Sequence, residues 1–234
     1  MTLWLIISYG TANAYLLCLV ALRRSWMAPW LNFCALYLLC ASLSQAFWPK
    51  LAFSTSIWWR RYMLWLALLK FCAVIEAALA MCYPMRVGQK ALRIFFACGV
   101  GAMVCGAWML QAPMYPRFPN WLLYVRLGAN VGGAMTCMAI ILWVWANPRI
   151  KPMQQSFTLH TALLGALLMC FGVGIRITST AGSLREWVNL DGLVQIFESA
   201  VLLYWANLFR KCKVKGLNDA RQLFYRGGRV RSWT

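Results

Sequence analysis

Long apolar stretches joined by short connections constrain this chain more than any other feature. Seven of them, each about 20 residues or more, can be drawn along the 234 residues. A helix of that length crosses roughly 30 Å of hydrocarbon at about 1.5 Å per residue. We therefore predict an all-α, polytopic membrane protein, a bundle of seven transmembrane helices. The predicted spans are 3–22, 28–48, 62–84, 91–111, 121–146, 157–176 and 189–208.

The composition agrees with a membrane location. Hydrophobic residues make up 62% of the chain, and charged residues make up only 12%, about half of the ~25% of soluble domains. The net charge of +18 arises from 23 Lys and Arg against 5 Asp and Glu. Basic residues at the ends of membrane spans explain this charge. No nucleic-acid-binding motif accompanies it, so we expect no nucleic-acid partner.

The placement of Lys and Arg predicts the orientation. Most of them lie in the connections after spans one, three and five and in the tail from residue 209. Basic residues favour the cytoplasmic side, so the N-terminus is predicted outside and the C-terminus in the cytoplasm. Residues 1–208 would form the transmembrane domain. Residues 209–234 would form a basic cytoplasmic tail, which either contacts anionic lipids or is a partly disordered anchor without a partner.

Ionisable and strongly polar side chains inside the spans are the candidates for a functional site, because burying them in hydrocarbon is costly. Lys70 and Glu76 lie in span three, Gln195 and Glu198 in span seven, and Asn13 near the middle of span one. We expect them to line a ligand pocket or an ion path. The alternative is a polar clasp that only holds the helices together.

Lys70 and Glu76 are not placed to pair with each other on one helix. Six residues turn the side chain by about 240° and separate the two positions by ~9 Å along the axis. Side chains that pair along a helix are three or four residues apart. Matching depth in the membrane predicts Glu198 as the partner of Lys70. For Glu76 we expect a protonated carboxyl that bonds to an Asn, Ser or Thr side chain.

Two short patterns predict helix packing and a helix start. Gly128 and Gly132 form a GxxxG motif in span five, which would let a neighbouring helix approach closely. Ser183 and Glu186 fit a capping box at the start of the helix that leads into span seven.

Patterns typical of catalytic or metal sites are absent from the sequence. His160 is the one histidine, which excludes any site within this chain that needs two His ligands. Most of the ten cysteines lie in or beside apolar runs, and no CxxC occurs, so we predict small core residues. No recognisable catalytic motif or Gly-rich phosphate loop is present. We therefore predict no enzyme activity, no metal and no cofactor.

One stretch resembles a known group of proteins. LLKFCAVIEAALAMCYPMRVGQKALRIFF, which contains Glu76, Tyr83-Pro84 and Arg86, resembles the third span and following loop of uncharacterised seven-helix membrane proteins of acidobacterial type. The closing VLLYWANLFRK resembles their final span. The resemblance implies the fold and a membrane location, and no activity comes with it.

Two functions remain open. The first is a small bacterial sensor or receptor-like protein of the inner membrane, with a pocket near Lys70, Glu76 and Glu198. It would act through a separate protein partner, because the tail is shorter than the roughly 50 residues of a small domain. The second is a small transporter or ion- or proton-conducting protein. Seven spans do not divide into equal halves, and no internal repeat is apparent, which counts against transport.

Overall fold

Helices account for all the long elements that the structure describes. The structure is a computed structural model, which describes residues 2–51, 57–82, 120–146, 152–179 and 183–212. The six helices are α1 (Thr2–Arg23), α2 (Asn32–Leu51), α3 (Ile57–Cys82), α4 (Asn120–Trp145), α5 (Pro152–Ser179) and α6 (Leu184–Lys211), and a short 3₁₀ helix, Ala28–Trp30, precedes α2.

Five of the described helices are long and apolar enough to cross a membrane, by length and composition. This agrees with the prediction of a helical protein that crosses the membrane several times. The candidate spanning segments are Leu3–Arg23, Arg61–Ala80, Arg126–Trp143, Ser156–Ile175 and Arg185–Lys211, and α2 adds a shorter apolar segment, Asn32–Phe47. The predicted span 91–111 and residues 213–234 of the predicted tail lie outside the described residues.

The six described helices pack as a closed ring. Each described helix contacts the next described helix in chain order, and α6 closes the ring by contacting α1. In addition, α3 contacts α5. α1 and α6 run in the same direction, because Trp4 contacts Asp191 while Tyr15 contacts Glu198. We call the end at which α1, α3, α4 and α6 begin the upper face, and the opposite end the lower face.

α3 and α4 are also parallel neighbours. Lys70 on α3 contacts Asn130 on α4, and Val74, one turn further down, lies beside Gly133. α3 therefore ends at the lower face, and α4 begins at the upper face. The described helices α2 and α5 run in the opposite direction, from the lower face to the upper face.

Small residues let α4, α5 and α6 approach closely. A Cβ atom added at Gly165 on α5 would lie 2.9 Å from the Cβ atom of Cys137. A Cβ atom added at Gly133 would lie 2.8 Å from Leu168 Cδ1. Gly128 and Gly132, the residues of the predicted GxxxG contact, are both buried on α4. The interior of the ring is otherwise filled by large apolar side chains such as Trp205.

Two helix starts test the predicted boundaries. The Ser183 hydroxyl accepts the Glu186 backbone N–H at 3.2 Å, so the predicted cap of the last helix is confirmed. α2 begins at Asn32 rather than at the predicted residue 28. The chain first forms the 3₁₀ helix that contains Pro29. Glu76 on α3 then accepts hydrogen bonds from the first backbone N–H groups of α2, which fixes where α2 begins.

Candidate functional site

A line of polar side chains follows the contact between α1 and α6, and we call it the polar seam. On α1 its members are three or four residues apart, so they share one face of the helix. Polar groups are costly in hydrocarbon, and each member has a hydrogen-bond partner in the seam. The members are Trp4, Ser8, Thr11 and Tyr15 on α1 and Asp191, Gln195, Glu198 and Ser199 on α6.

Asp191 and Gln195 form the upper part of the seam. Asp191 Oδ2 accepts hydrogen bonds from Trp4 Nε1 at 2.9 Å and from Gln195 Nε2 at 2.6 Å. Gln195 Oε1 in turn accepts from the Ser8 hydroxyl at 3.0 Å. The Gln195 side chain is buried. The upper part therefore links a carboxylate at the rim of the bundle to the interior.

Hydroxyl groups continue the seam downwards. The hydroxyl oxygens of Thr11 and Ser199 are 3.0 Å apart. About one turn further down, the Tyr15 hydroxyl donates a hydrogen bond to Glu198 Oε1. Glu198 is only 1% exposed and lies near the middle of α6. The seam therefore ends at an acidic side chain deep inside the bundle.

Lys70 is buried on the opposite side of the same interior. Its ammonium donates to Asn130 Oδ1 at 2.8 Å. It also lies 3.7 Å from the centre of the Phe171 ring, a cation–π contact. The Tyr37 ring is further away, at 5.9 Å from the ammonium nitrogen. An amide oxygen and an aromatic face thus replace the water that this cation loses on burial.

The predicted ion pair between Lys70 and Glu198 is wrong. Lys70 bonds to Asn130 and Glu198 accepts from Tyr15, and among the described residues no direct salt bridge joins the two charged side chains. The hydroxyl oxygens of Tyr15 and Tyr37 are 3.4 Å apart, and the Tyr37 ring is 5.9 Å from the Lys70 ammonium nitrogen. The prediction rested on a similar depth along the two helices, and depth does not fix which side chain meets which. We call Lys70, Asn130, Tyr37, Tyr15 and Glu198 the buried charge cluster.

Glu76 has a different role from the one predicted. Its Oε1 accepts the backbone N–H groups of Asn32 at 2.6 Å and Phe33 at 3.1 Å, and its Oε2 accepts that of Cys34 at 2.9 Å. These are the unpaired donors of the first turn of α2. The expected Asn, Ser or Thr partner is therefore replaced by backbone groups. All three contacts require the carboxyl to accept, which fits an ionised carboxylate at the positive end of a helix dipole.

Asn13 does not join the buried charge cluster. Its side chain is exposed on the outer face of α1, while Thr11 and Tyr15 on the same helix point inwards. Of the predicted site residues, the structure therefore places Gln195 and Glu198 in the polar seam and Lys70 in the cluster that adjoins it. Glu76 lies apart, at the start of α2.

The interior below the buried charge cluster is mainly aromatic and aliphatic. His160 on α5 is fully buried, and its Nδ1 accepts from Trp205 Nε1 at 3.1 Å. The rings of His160 and Phe209 are 5.8 Å apart, centre to centre. His160 Nε2 has no hydrogen-bond partner among the described residues. Among the described residues, the polar seam therefore does not continue from Glu198 to the lower face.

Sequence reasoning missed several members of the site. Tyr15 and Tyr37 escaped notice because tyrosine is common in membrane helices, often near the interfaces. A signal for the α1 half of the seam was nevertheless present. Residues with a hydrogen-bonding group in the side chain recur at positions 4, 8, 11 and 15. This helical spacing places them on one face of α1, towards one neighbouring helix. Asn130 had no comparable signal, because its role depends on the depth of a lysine on another helix.

No group of three or more His, Cys, Asp or Glu side chains within the described ranges is placed to hold a metal ion. The chain matches no protein family, no curated protein and no solved structure with which it was compared. The function is therefore inferred from the arrangement of the site itself.

Proposed function

We propose that this protein is a small sensor of the bacterial inner membrane that acts through a separate protein partner. It would have seven transmembrane helices, with the N-terminus outside and the C-terminus in the cytoplasm. The stimulus would change the charge or the hydrogen bonding of the buried charge cluster. The response would be a shift of α1 and α6 at the lower face.

The direction of the described helices supports seven spans. α3 ends at the lower face and its parallel neighbour α4 begins at the upper face. This arrangement of the described helices is the one that the predicted span 91–111 requires. Exposed basic residues at the lower ends of α1 and α6, Arg23, Arg24, Arg210 and Lys211, support a cytoplasmic lower face.

The observation that supports a sensor best is the one-sided polar seam. Within the described residues, hydrogen-bonded side chains line the α1–α6 contact from Trp4 near the upper face to Glu198 in the middle of the bundle. They form two sets, one from Trp4 to Ser199 and one of Tyr15 and Glu198, about one helical turn apart. Below Glu198 the described interior is largely apolar, with Leu202, Trp205 and Phe209 buried on α6. A polar route from one face to a buried charge suits detection of a signal from that face. Conduction would require polar groups on both sides of the charge.

A contact at the lower face offers a route for the response. The Trp26 backbone N–H, in the turn after α1, bonds to the Cys212 carbonyl at the end of α6, at 3.2 Å. The two helices that form the polar seam are therefore also joined at the lower face. A change in their relative position at Glu198 would move this joined end, which is a common form of helix-shift signalling.

The test uses distances at the lower face. We would introduce spin labels through non-natural amino acids at the exposed positions Arg24 and Lys211 and reconstitute the full chain in liposomes. Glu198→Gln, which removes the buried charge, should shift the label distance by on the order of 1–5 Å. The control Tyr204→Phe alters an exposed α6 side chain and should leave the distance unchanged. An unchanged distance in Glu198→Gln would contradict the sensor.

Proton conduction is the second candidate, and the hydroxyl groups of the seam favour it. Thr11, Ser199 and Tyr15 each can donate and accept, so with a water bridging the turn between Thr11 and Tyr15 they would pass a proton towards Glu198. Proteoliposomes under a proton gradient would show a flux that Glu198→Gln abolishes and Tyr204→Phe does not. A Glu198-dependent flux with a constant label distance would replace the sensor by a conductor.

A further inference from the structure

One face of α1 is exposed along its whole length, and we call it the outer α1 face. Leu3 and Ile6 are 70% and 65% exposed near the upper end, and Leu17 is 57% exposed further down. The exposed side chains of the face are Leu3, Ile6, Tyr9, Asn13, Leu16, Leu17 and Val20, with Gly10 among them. All but Asn13 and Gly10 are large and largely apolar, as contact with lipid or with another helix requires.

Asn13 places a polar amide on this otherwise apolar face. It lies at the midpoint of the membrane-capable segment Leu3–Arg23. Its side chain is exposed and has no hydrogen-bond partner among the described residues. An amide that faces hydrocarbon in the middle of a span loses its bonds to water and gains none, which is unfavourable. Polar side chains at such positions usually bond across to another helix.

The pattern around Asn13 is that of a helix-pairing seam. Ile6, Asn13 and Val20 are spaced by a heptad, and Tyr9 and Leu16 occupy the alternate contact positions. Asn13 is the central residue of this stripe. In two-helix coiled coils, a single asparagine at a central contact position fixes the register and the number of strands. Two copies of an amide satisfy each other, because each is both donor and acceptor.

Gly10 marks a place where the partner can come close. A Cβ atom added there would meet no atom within 4 Å, so the structure itself does not require glycine at this position. The residue lies on the outer α1 face, one turn above Asn13. Small residues at membrane helix contacts let two backbones approach, which also shortens hydrogen bonds between neighbouring side chains.

A second copy of this chain is the best candidate to cover the outer α1 face. The principal neighbours of α1 among the described helices are α2 and α6. Residues 83–119 connect α3 to α4, which lie further round the ring. A symmetric partner brings the same stripe and the same amide to the contact, which another segment of this chain does not.

We propose that the outer α1 face forms a parallel homodimer in the membrane, with Asn13 of the two copies hydrogen-bonded to each other across a two-fold axis. Each Asn13 amide then gains the partner that the single chain does not provide. The apolar residues of the stripe pack against their counterparts above and below it. This inference does not depend on the sensor function, because it concerns the opposite side of α1.

A photo-crosslinking amino acid at position 16, an exposed contact position of the stripe, leaves Asn13 in place and identifies the occupant directly. The full chain carrying it would be reconstituted in liposomes, irradiated and analysed by gel mass and peptide mass spectrometry. Adducts of twice the chain mass, with the link in Ile6–Val20 of the second copy, are expected. Links to residues 83–119 of the same chain, or adducts to lipid alone, would overturn the proposal.

Variants of the unmodified protein measure the strength of the contact. Subunit counting at graded protein-to-lipid ratios should give a dimer that Asn13→Leu weakens roughly 5- to 30-fold, the factor for ~1–2 kcal/mol. Asn207→Leu is the matched control, because Asn207 is also exposed but lies one turn from the lower end of α6. It should leave the dimer unchanged. A wild-type monomer at every ratio would contradict the proposal.

Gly10→Leu separates dimerisation from folding. A Cβ atom at this exposed position meets no atom of the single chain within 4 Å, so the helix should fold normally. At a close contact between two copies, however, its side chain would hold the backbones apart. We expect a weaker dimer with an unchanged thermal unfolding temperature. A dimer as strong as the wild type in both Gly10→Leu and Asn13→Leu would exclude this face as the interface.

Discussion

Glu76 and Glu198 are both acidic residues within membrane helices, yet their surroundings differ. Glu76 accepts three backbone N–H groups at the start of α2, and its side chain is half-buried. Glu198 is almost fully buried, and among the described residues its hydrogen-bond donor is the Tyr15 hydroxyl. The first carboxylate completes a helix end. The second accepts from one side chain in an interior that also contains a buried lysine, and the proposed sensor depends on that arrangement.

The comparison distinguishes a charge held by backbone groups from a charge held by a side chain. An acidic residue whose oxygens are saturated by backbone donors has little freedom to change its state without loss of structure. A carboxylate held by a tyrosine can exchange its partner more easily, because a side chain can rotate. Four substitution experiments test this distinction.

Loss of the Glu76 carboxylate should have the largest effect. Glu76→Ala leaves three backbone donors of α2 without their partner, and we expect the free energy of unfolding to fall by about 2–4 kcal/mol. Reversible denaturation in mixed micelles measures the change. Leu79→Ala, an exposed α3 residue nearly one turn away, serves as the control. Equal stability of the two variants would mean that Glu76 does not cap α2.

Removal of the Tyr15 hydroxyl should have the next largest effect. Tyr15→Phe keeps the ring in the core but removes the donor to Glu198, and should lower the free energy of unfolding by about 1.5–3 kcal/mol. Tyr204→Phe, at an exposed position of α6, should change it very little. The same denaturation experiment compares them. A neutral Tyr15→Phe would show that Glu198 is satisfied by other groups.

Replacement of each glutamate by glutamine gives a direct comparison of the two regions. In Glu198→Gln the new amide carbonyl can still accept from Tyr15, whereas Glu76→Gln turns an amide N–H₂ or a neutral oxygen towards three donors. We expect Glu76→Gln to be the less stable variant by about 1–2 kcal/mol. Unfolding of the two proteins under identical conditions tests this. The reverse order would remove the distinction drawn above.

A double-mutant cycle on Lys70 and Glu198 should show the smallest effect. The two side chains share a cluster but have different hydrogen-bond partners. The coupling between Lys70→Met and Glu198→Gln is therefore expected at about 0.5–1 kcal/mol, below the value for a direct buried pair. Unfolding free energies of the wild type, both single variants and the double variant give it. Strict additivity would show that the charges do not interact.

Much of the architecture was predictable, because a bilayer imposes simple rules on sequence. Apolar length predicted the helices, and the observed α1, Thr2–Arg23, agrees closely with the predicted span 3–22. Local chemistry predicted the Ser183 cap. The helical repeat correctly predicted that Lys70 and Glu76 face different neighbouring helices. These features depend on residues close in the chain.

Partners across the bundle were not predictable in the same way. Several polar residues lie at similar depths, and depth alone favoured Glu198 for Lys70 over Asn130, the partner it has. Asn13 was expected inside because polar residues usually are, yet the rotation of α1 places it outside. The backbone donors that satisfy Glu76 have no signature in the side-chain pattern at all.

The amino-acid pattern was enough to predict that the chain forms membrane-capable helices and that a few costly polar groups lie within them. The packing of the helices was needed to show which of those groups are structural. It showed that Glu76 completes a helix and that Glu198 ends a polar seam. It also showed that the Asn13 side chain is exposed on the outer face of α1. The physical reason is that hydrophobicity and helical period fix depth and direction along one helix, whereas packing fixes the rotation of each helix against its neighbours.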